Sequence, residues 1–236
     1  MFDGGYGILL PMSSSEPDSA IWYGLKQFEE QGLQNVTGMD FAIHKDVQDS
    51  PQLAAKLDSV RGASLIYITG GDQNRFMQHA NALGVADAIR EAADNGAVVA
   101  GTSAGAAVMT EKMITGDEKN YPDYEETNRH IESDNIILDK GLGLINTAIV
   151  DQHFIIRGRQ NRLLTLAMEY PDLLGIGIDE STAILVNGDS AEVVGKAQVL
   201  VFEGTESGQV SESGLLGAQN ITVDIYLPGE RFSIVK

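Results

Sequence analysis

The sequence predicts an α/β protein built on a mostly parallel sheet sandwiched by helices. Three observations carry this expectation. Short apolar runs alternate with amphipathic helical stretches along most of the chain, the pattern of βα units. Four of the runs end in polar, mostly glycine-bearing segments, and strand carboxyl ends are where open α/β sheets bind ligands. At 236 residues and 43% hydrophobic content, the chain can bury a substantial core as a single domain spanning 1–236.

The elements follow in order. Ile8-Leu9-Leu10 reads as a strand. Ser19 to Gln31 reads as an amphipathic helix with Ile21, Leu25 and Phe28 on one face and Gly32 at its end. Val36 to Ile43 is a second strand, and Ser50-Pro51 opens a short helix through Leu53 and Leu57. Ser64 to Thr69 is a strongly apolar strand running into Gly70-Gly71. Asn74 to Asn95 reads as one or two helices, and Ala97 to Ala100 as a strand. From Glu111 to Lys140 the chain is polar and acidic, which predicts a long loop or flap. Ala148-Ile149-Val150 resumes a strand, Asn161 to Tyr170 is helical, and Gly175–Ile178 and Thr182–Val186 are strands around a turn. Glu192 to Lys236 is β-rich, punctuated by glycine, and expected to close the sheet.

Composition removes several function classes. A net charge of -18 argues against a nucleic-acid surface, which needs clustered Lys and Arg. The absence of cysteine excludes disulfides, thiolate metal sites and a cysteine nucleophile. No apolar run approaches the roughly 20 residues that span a bilayer, so no membrane partner is expected. No basic-then-apolar leader opens the chain. The cytoplasm is favoured, with a secreted or periplasmic location open if an upstream segment was removed.

Four strand ends carry candidate chemistry. Gly101-Thr102-Ser103-Ala104-Gly105 places a serine inside G-x-S-x-G between a strand and a small-residue helix start. That is the pattern of a nucleophile elbow, in which glycines permit a sharp turn that projects the hydroxyl. The N–H of Ala104 would face the same space and hold an oxyanion. In Thr69-Gly70-Gly71-Asp72-Gln73, a second N–H near Gly71 could complete that hole, and Gln73 could hold a substrate amide or carboxylate. Asp151-Gln152-His153-Phe154 offers His153 as a general base. Arg157, Arg159 and Arg162 follow it, with guanidinium forks suited to carboxylates. By contrast, His44, His79 and His130 read as structural. The fourth end, Gly177-Ile178-Asp179-Glu180, supplies an acid to orient the histidine. Spacing alone does not rank the adjacent Asp179 and Glu180.

Together the four segments resemble the cyanophycinase and dipeptidase E family of serine peptidases, over Ile8 to about Val201. Asp151-Gln152-His153-Phe154 with Arg157, Arg159 and Arg162 is most similar to the cyanophycinase branch, as is Gly177-Ile178-Asp179-Glu180. The resemblance implies Ser103 as nucleophile, His153 as base and Glu180 as the third triad member. It implies Gln73, Asp151, Gln152, Arg157, Arg159 and Arg162 as substrate-pocket residues, and no metal or cofactor. The implied fold resembles class I glutamine amidotransferases. The implied reaction is hydrolysis of peptide bonds next to aspartate, in cyanophycin releasing β-aspartyl-arginine. An aspartyl or isoaspartyl dipeptidase and a non-catalytic binding homologue are the alternatives, and a homodimer is a further expectation. Two departures stand out. A first strand usual in the family is absent or reduced to Asp3-Gly4-Gly5, and the segment from Glu111 to Lys140 is long for the family.

Overall fold

The computed structural model describes residues 5–41, 51–123 and 129–236. The chain divides into two compact units, Met1–Met109 and Thr110–Lys236. The remnant Asp3-Gly4, positions 42–43 of the expected second strand, the structural role of His44, and Ser50 at the expected helix start lie outside the described residues.

The first unit is a parallel α/β unit. Its elements are β1 (Gly7–Leu10), α1 (Pro17–Glu30), β2 (Val36–Gly38), α2 (Pro51–Arg61), β3 (Leu65–Ile68), α3 (Gln73–Ala82), α4 (Val85–Asp94), β4 (Val98–Gly101) and α5 (Ala104–Ala107). The strands form an all-parallel sheet in the order β2-β1-β3-β4. From β1 the chain first goes to one neighbour and then crosses to the other. The carboxyl ends of β1 and β3 therefore flank a topological switch point, where α/β sheets open a crevice. β1 is buried along its whole length, and Ile8, Leu9, Leu10, Ile66 and Ile68 are nearly inaccessible, as expected of a strand covered on both faces. The helical stretch read from Asn74 to Asn95 is two helices. Gly84 separates them in the left-handed region at φ 73°, which glycine adopts without a Cβ penalty. Within the described part of the expected Val36–Ile43 strand, β2 pairing stops at Gly38, where a Cβ would meet the Ile21 side chain of α1 at 2.3 Å.

The second unit holds β5 (Lys112–Glu118), β6 (Ile136–Lys140), β7 (Ala148–Gln152), α6 (Gln160–Glu169), β8 (Leu174–Ile178), β9 (Thr182–Asn187), β10 (Ser190–Gly195), β11 (Val199–Glu203), β12 (Gln209–Val210), β13 (Leu216–Gly217), β14 (Thr222–Tyr226) and β15 (Arg231–Ser233). Its main sheet runs β14-β11-β8-β7. Only the β7–β8 pair is parallel; β8–β11 and β11–β14 are antiparallel. A separate antiparallel sheet runs β15-β10-β9. The mostly parallel arrangement expected from sequence thus holds for the first unit, while much of the second is antiparallel. The connections explain this. β9 and β10 are joined by a tight turn through Gly188 at φ 57°, too short for a parallel crossover.

The expected loop or flap over Glu111–Lys140 is corrected at its two ends, where β5 and β6 pair as an antiparallel hairpin, while the described residues of the 119–135 connection form no helix or named strand. Met113, Ile114 and Ile136 are buried, so a few apolar side chains anchor a segment that is otherwise polar. Glu118 is buried as well, and its carboxylate accepts from Asn135 Nδ2 at 2.8 Å. The bond gives a buried carboxylate the partner it needs.

Candidate functional site

In the first unit, Ser103 follows β4 and precedes α5 at φ 52° and ψ -114°. Positive φ is uncommon for a residue with a side chain, and such backbone strain is concentrated at functional turns. The flanking glycines are required by contact distances. A Cβ on Gly101 would come within 2.1 Å of the Gly105 carbonyl oxygen, and one on Gly105 within 2.2 Å of the Ile68 carbonyl oxygen. α5 can start this close to β3 and β4 only because both positions lack a side chain. Ala104, the first residue of α5, is fully buried.

The Gly70-Gly71 turn lies beside this serine. A Cβ on Gly70 would stand 3.3 Å from Ser103 Cβ, and Gly71 adopts φ 138° with the Ser13 backbone packed against it. Ser13 pins the turn from the end of β1. Its hydroxyl donates to the Thr69 carbonyl at 2.7 Å and lies 3.0 Å from the Gly70 carbonyl. Its own carbonyl accepts the Asp72 N–H at 2.9 Å. Sequence reasoning missed Ser13; its only signal was a polar run, Ser13-Ser14-Ser15, that follows the apolar strand after Pro11 and Met12. Asp72 caps α3 by accepting the N–H groups of Asn74 and Arg75. Gln73 is then buried at the start of that helix.

In the second unit, β7 and β8 run parallel with Gln152 opposite Ile178. The residues that follow each strand therefore emerge side by side. His153 Nδ1 lies 2.9 Å from Glu180 Oε1. Of the two adjacent acids, Glu180 is the one that reaches the imidazole. Asp179 instead accepts the Ile156 N–H at 3.1 Å. His153, like Ser103, has a positive φ, at 50°. Behind it, Phe154 is fully buried, and Gly177 makes room for the ring: a Cβ there would fall 2.3 Å from Phe154 Cδ1.

The acid and the arginines separate into two groups. Arg157 is exposed. Asp151, Arg159 and Arg162 are buried, with both guanidinium groups 3.4 Å from Asp151 Oδ1. Arg159 also donates to the Gln152 carbonyl at 2.7 Å, and Arg162 to the Gly116 carbonyl at 3.2 Å. Burial pushes the Asp151 carboxyl above its ordinary value, with the two guanidinium groups pulling against it. Burial likewise lowers Arg159 to about 10, opposed by Asp151. Arg159 and Arg162, expected in a substrate pocket, spend these contacts on the protein itself. Asp151 Oδ1 accepts the Gln152 N–H at 3.0 Å, so Gln152 leads into His153 with both its N–H and its carbonyl held. Among the described residues, no three or more His, Asp or Glu side chains gather to hold a metal ion, and no helix is long and apolar enough to cross a membrane.

The first unit thus carries a serine at positive φ after a parallel strand, and the second a histidine paired with a carboxylate; serine-type hydrolases use these residue types. Residues 11–194 match Peptidase family S51, a stretch that runs through both units. The chain is 34% identical to a cyanophycinase of Trichormus variabilis, over 97% of this chain and 75% of that protein. It is 32% identical to a cyanophycinase of Geminocystis herdmanii, over 95% and 81%. Among solved structures, a peptidase from an acI-B1 actinobacterium matches with a TM-score of 0.62 at 22% identity, over 97% of this chain and 82% of that one. A putative peptidase E protein from Listeria monocytogenes matches at 0.57 and 18%, over 84% and 89%. The chain belongs to peptidase family S51 and is a peptidase.

Proposed function

We propose that this peptidase cleaves cyanophycin by serine catalysis, releasing β-aspartyl-arginine. The observation that carries the mechanism is the pairing of His153 with Glu180 at 2.9 Å, on the ends of two parallel neighbouring strands. Glu180 fixes the imidazole and stabilises the imidazolium that forms when Ser103 gives up its proton. Ser103 attacks the scissile carbonyl, and N–H groups near Ala104 and Gly71 hold the oxyanion. The C–N bond then breaks as the imidazolium returns its proton to the leaving amine, and water releases the acyl group by the same route. The exposed Arg157 binds an aspartyl carboxylate of the substrate. Asp151, Arg159 and Arg162 support the histidine turn, and Gln73 and Gln152 orient the substrate.

The substrate assignment rests on the cyanophycinase relatives. On this reading the two units are halves of one domain, 1–236, with a class I glutamine amidotransferase-like arrangement, since the family match crosses the division between them. The test is digestion of purified cyanophycin by the wild type and by Ser103→Ala. The wild type releases β-aspartyl-arginine and the variant folds but releases none. Full turnover by Ser103→Ala would overturn the serine assignment.

A further inference from the structure

Asp179 has no part in the mechanism above, yet its bond reaches the turn that carries His153. That turn leaves β7 at a residue with φ 50°, a backbone state with little intrinsic preference to hold it. It is tied back to β8 at two points. The Phe154 N–H donates to the Ile178 carbonyl at 3.2 Å, and the Ile156 N–H donates to Asp179 Oδ1 at 3.1 Å. A turn held at one point can pivot; a turn held at two cannot. Asp179 is also the immediate neighbour of Glu180, so its carboxylate ties the histidine's turn to the strand end that carries the histidine's partner.

We infer that Asp179 is a positioning residue: by accepting the Ile156 N–H it fixes the His153 turn against β8, in the geometry in which Glu180 reaches the ring. The inference rests on the proposed Ser103–His153–Glu180 mechanism and gives a role to the acid that spacing alone does not rank. Ile156 shows what the bond achieves. Its side chain is 66% exposed, so apolar packing does little to hold the tip of the turn, and the hydrogen bond supplies the restraint. A displacement of about 1 Å at a catalytic group costs roughly 10²-fold in rate, because proximity and orientation are lost.

The test compares Asp179→Ala with Asp179→Asn on purified cyanophycin, beside Ser103→Ala and Glu180→Gln. Asp179→Ala loses about 10- to 100-fold in kcat with KM changed less than about twofold, since the substrate-binding groups remain. Asp179→Asn keeps an Oδ1 acceptor and restores kcat to within about threefold of wild type. In the wild type, hydrogen exchange at the Ile156 amide is slowed despite the exposed side chain, a readout that needs no variant to fold. If Ser103→Ala and Glu180→Gln lose turnover while Asp179→Ala keeps wild-type kcat, the positioning role alone is overturned. Unprotected exchange at Ile156 overturns it as well. If Ser103→Ala keeps full turnover, the mechanism fails and the inference falls with it.

Discussion

Replacing Asp151 with alanine removes the only carboxylate found within ion-pair distance of two buried guanidinium groups among the described residues. Asp151 is 2% exposed and Arg159 and Arg162 are 8% exposed, so bulk water cannot take over the lost charge. Breaking a buried ion pair from one side costs about 3–5 kcal/mol, because a charge is left uncompensated. Here each arginine keeps one backbone carbonyl, Gln152 for Arg159 and Gly116 for Arg162. The two ion-pair distances of 3.4 Å are also long for charge-assisted bonds. Both facts point to the lower end, about 3 kcal/mol. For a chain of 236 residues that corresponds to a fall in Tm of roughly 6–12 °C. Differential scanning calorimetry at pH 7 measures it. Replacing all three side chains by Leu and Met should recover most of that loss, since apolar substitutes of similar volume remove the buried charges together. A melt within about 2 °C of wild type for Asp151→Ala, with only KM raised, would contradict the burial of this ion cluster. The three side chains would then be solvated pocket walls and not a buried brace.

Three further outcomes are expected. Gly105→Ala should sharply reduce activity and stability, because its Cβ would press on the Ile68 carbonyl oxygen at 2.2 Å, a backbone atom that cannot move aside; wild-type turnover and an unchanged melt would contradict the elbow packing. Glu180→Gln should lower kcat by about 10²–10⁴-fold while the fold is retained, since the orienting charge beside His153 is lost; steady-state kinetics and circular dichroism check both halves. Glu169 gives a pH-dependent outcome. Burial raises its carboxyl above the usual value, although its Oε1 accepts the Asp134 N–H at 2.5 Å. A raised acid binds more protons folded than unfolded, so its contribution is present below the unfolded value of about 4.3. It is lost as pH rises through the folded value. Glu169→Gln keeps the acceptor without the charge, so relative to wild type it should gain stability as pH rises from 4 to 7; thermal melts showing the opposite slope would contradict the burial of this group.

What could be read from sequence follows how local each cause is. Gly101 and Gly105 announced the elbow because the clash they avoid arises within a few residues of the serine and from the strand beside it. The β7 and β8 ends were recognisable because apolar runs stop abruptly at Asp151 and Asp179. Spacing could not rank Asp179 and Glu180, and only the family resemblance singled out Glu180, since the physical cause is the side-by-side register of two strands far apart in sequence. The burial of Arg159 and Arg162 was hidden for a similar reason: a basic cluster reads as a surface until its partner, Asp151, is known to face inward. The β5–β6 hairpin escaped notice because its apolar anchors Met113, Ile114 and Ile136 are separated by a long polar stretch. Its buried Glu118 accepts from Asn135, 17 positions away across the hairpin. Ser13 was missed because its partners, Thr69 and Gly70, belong to another strand end.

The most direct measurement incubates wild type, Ser103→Ala and His153→Ala with purified cyanophycin beside a panel of α- and β-aspartyl dipeptides, and identifies products by mass spectrometry. β-Aspartyl-arginine is expected from cyanophycin with the wild type alone. Cleavage of the dipeptides only would contradict the substrate and make the protein an aspartyl dipeptidase, and undiminished product from either variant would contradict the mechanism.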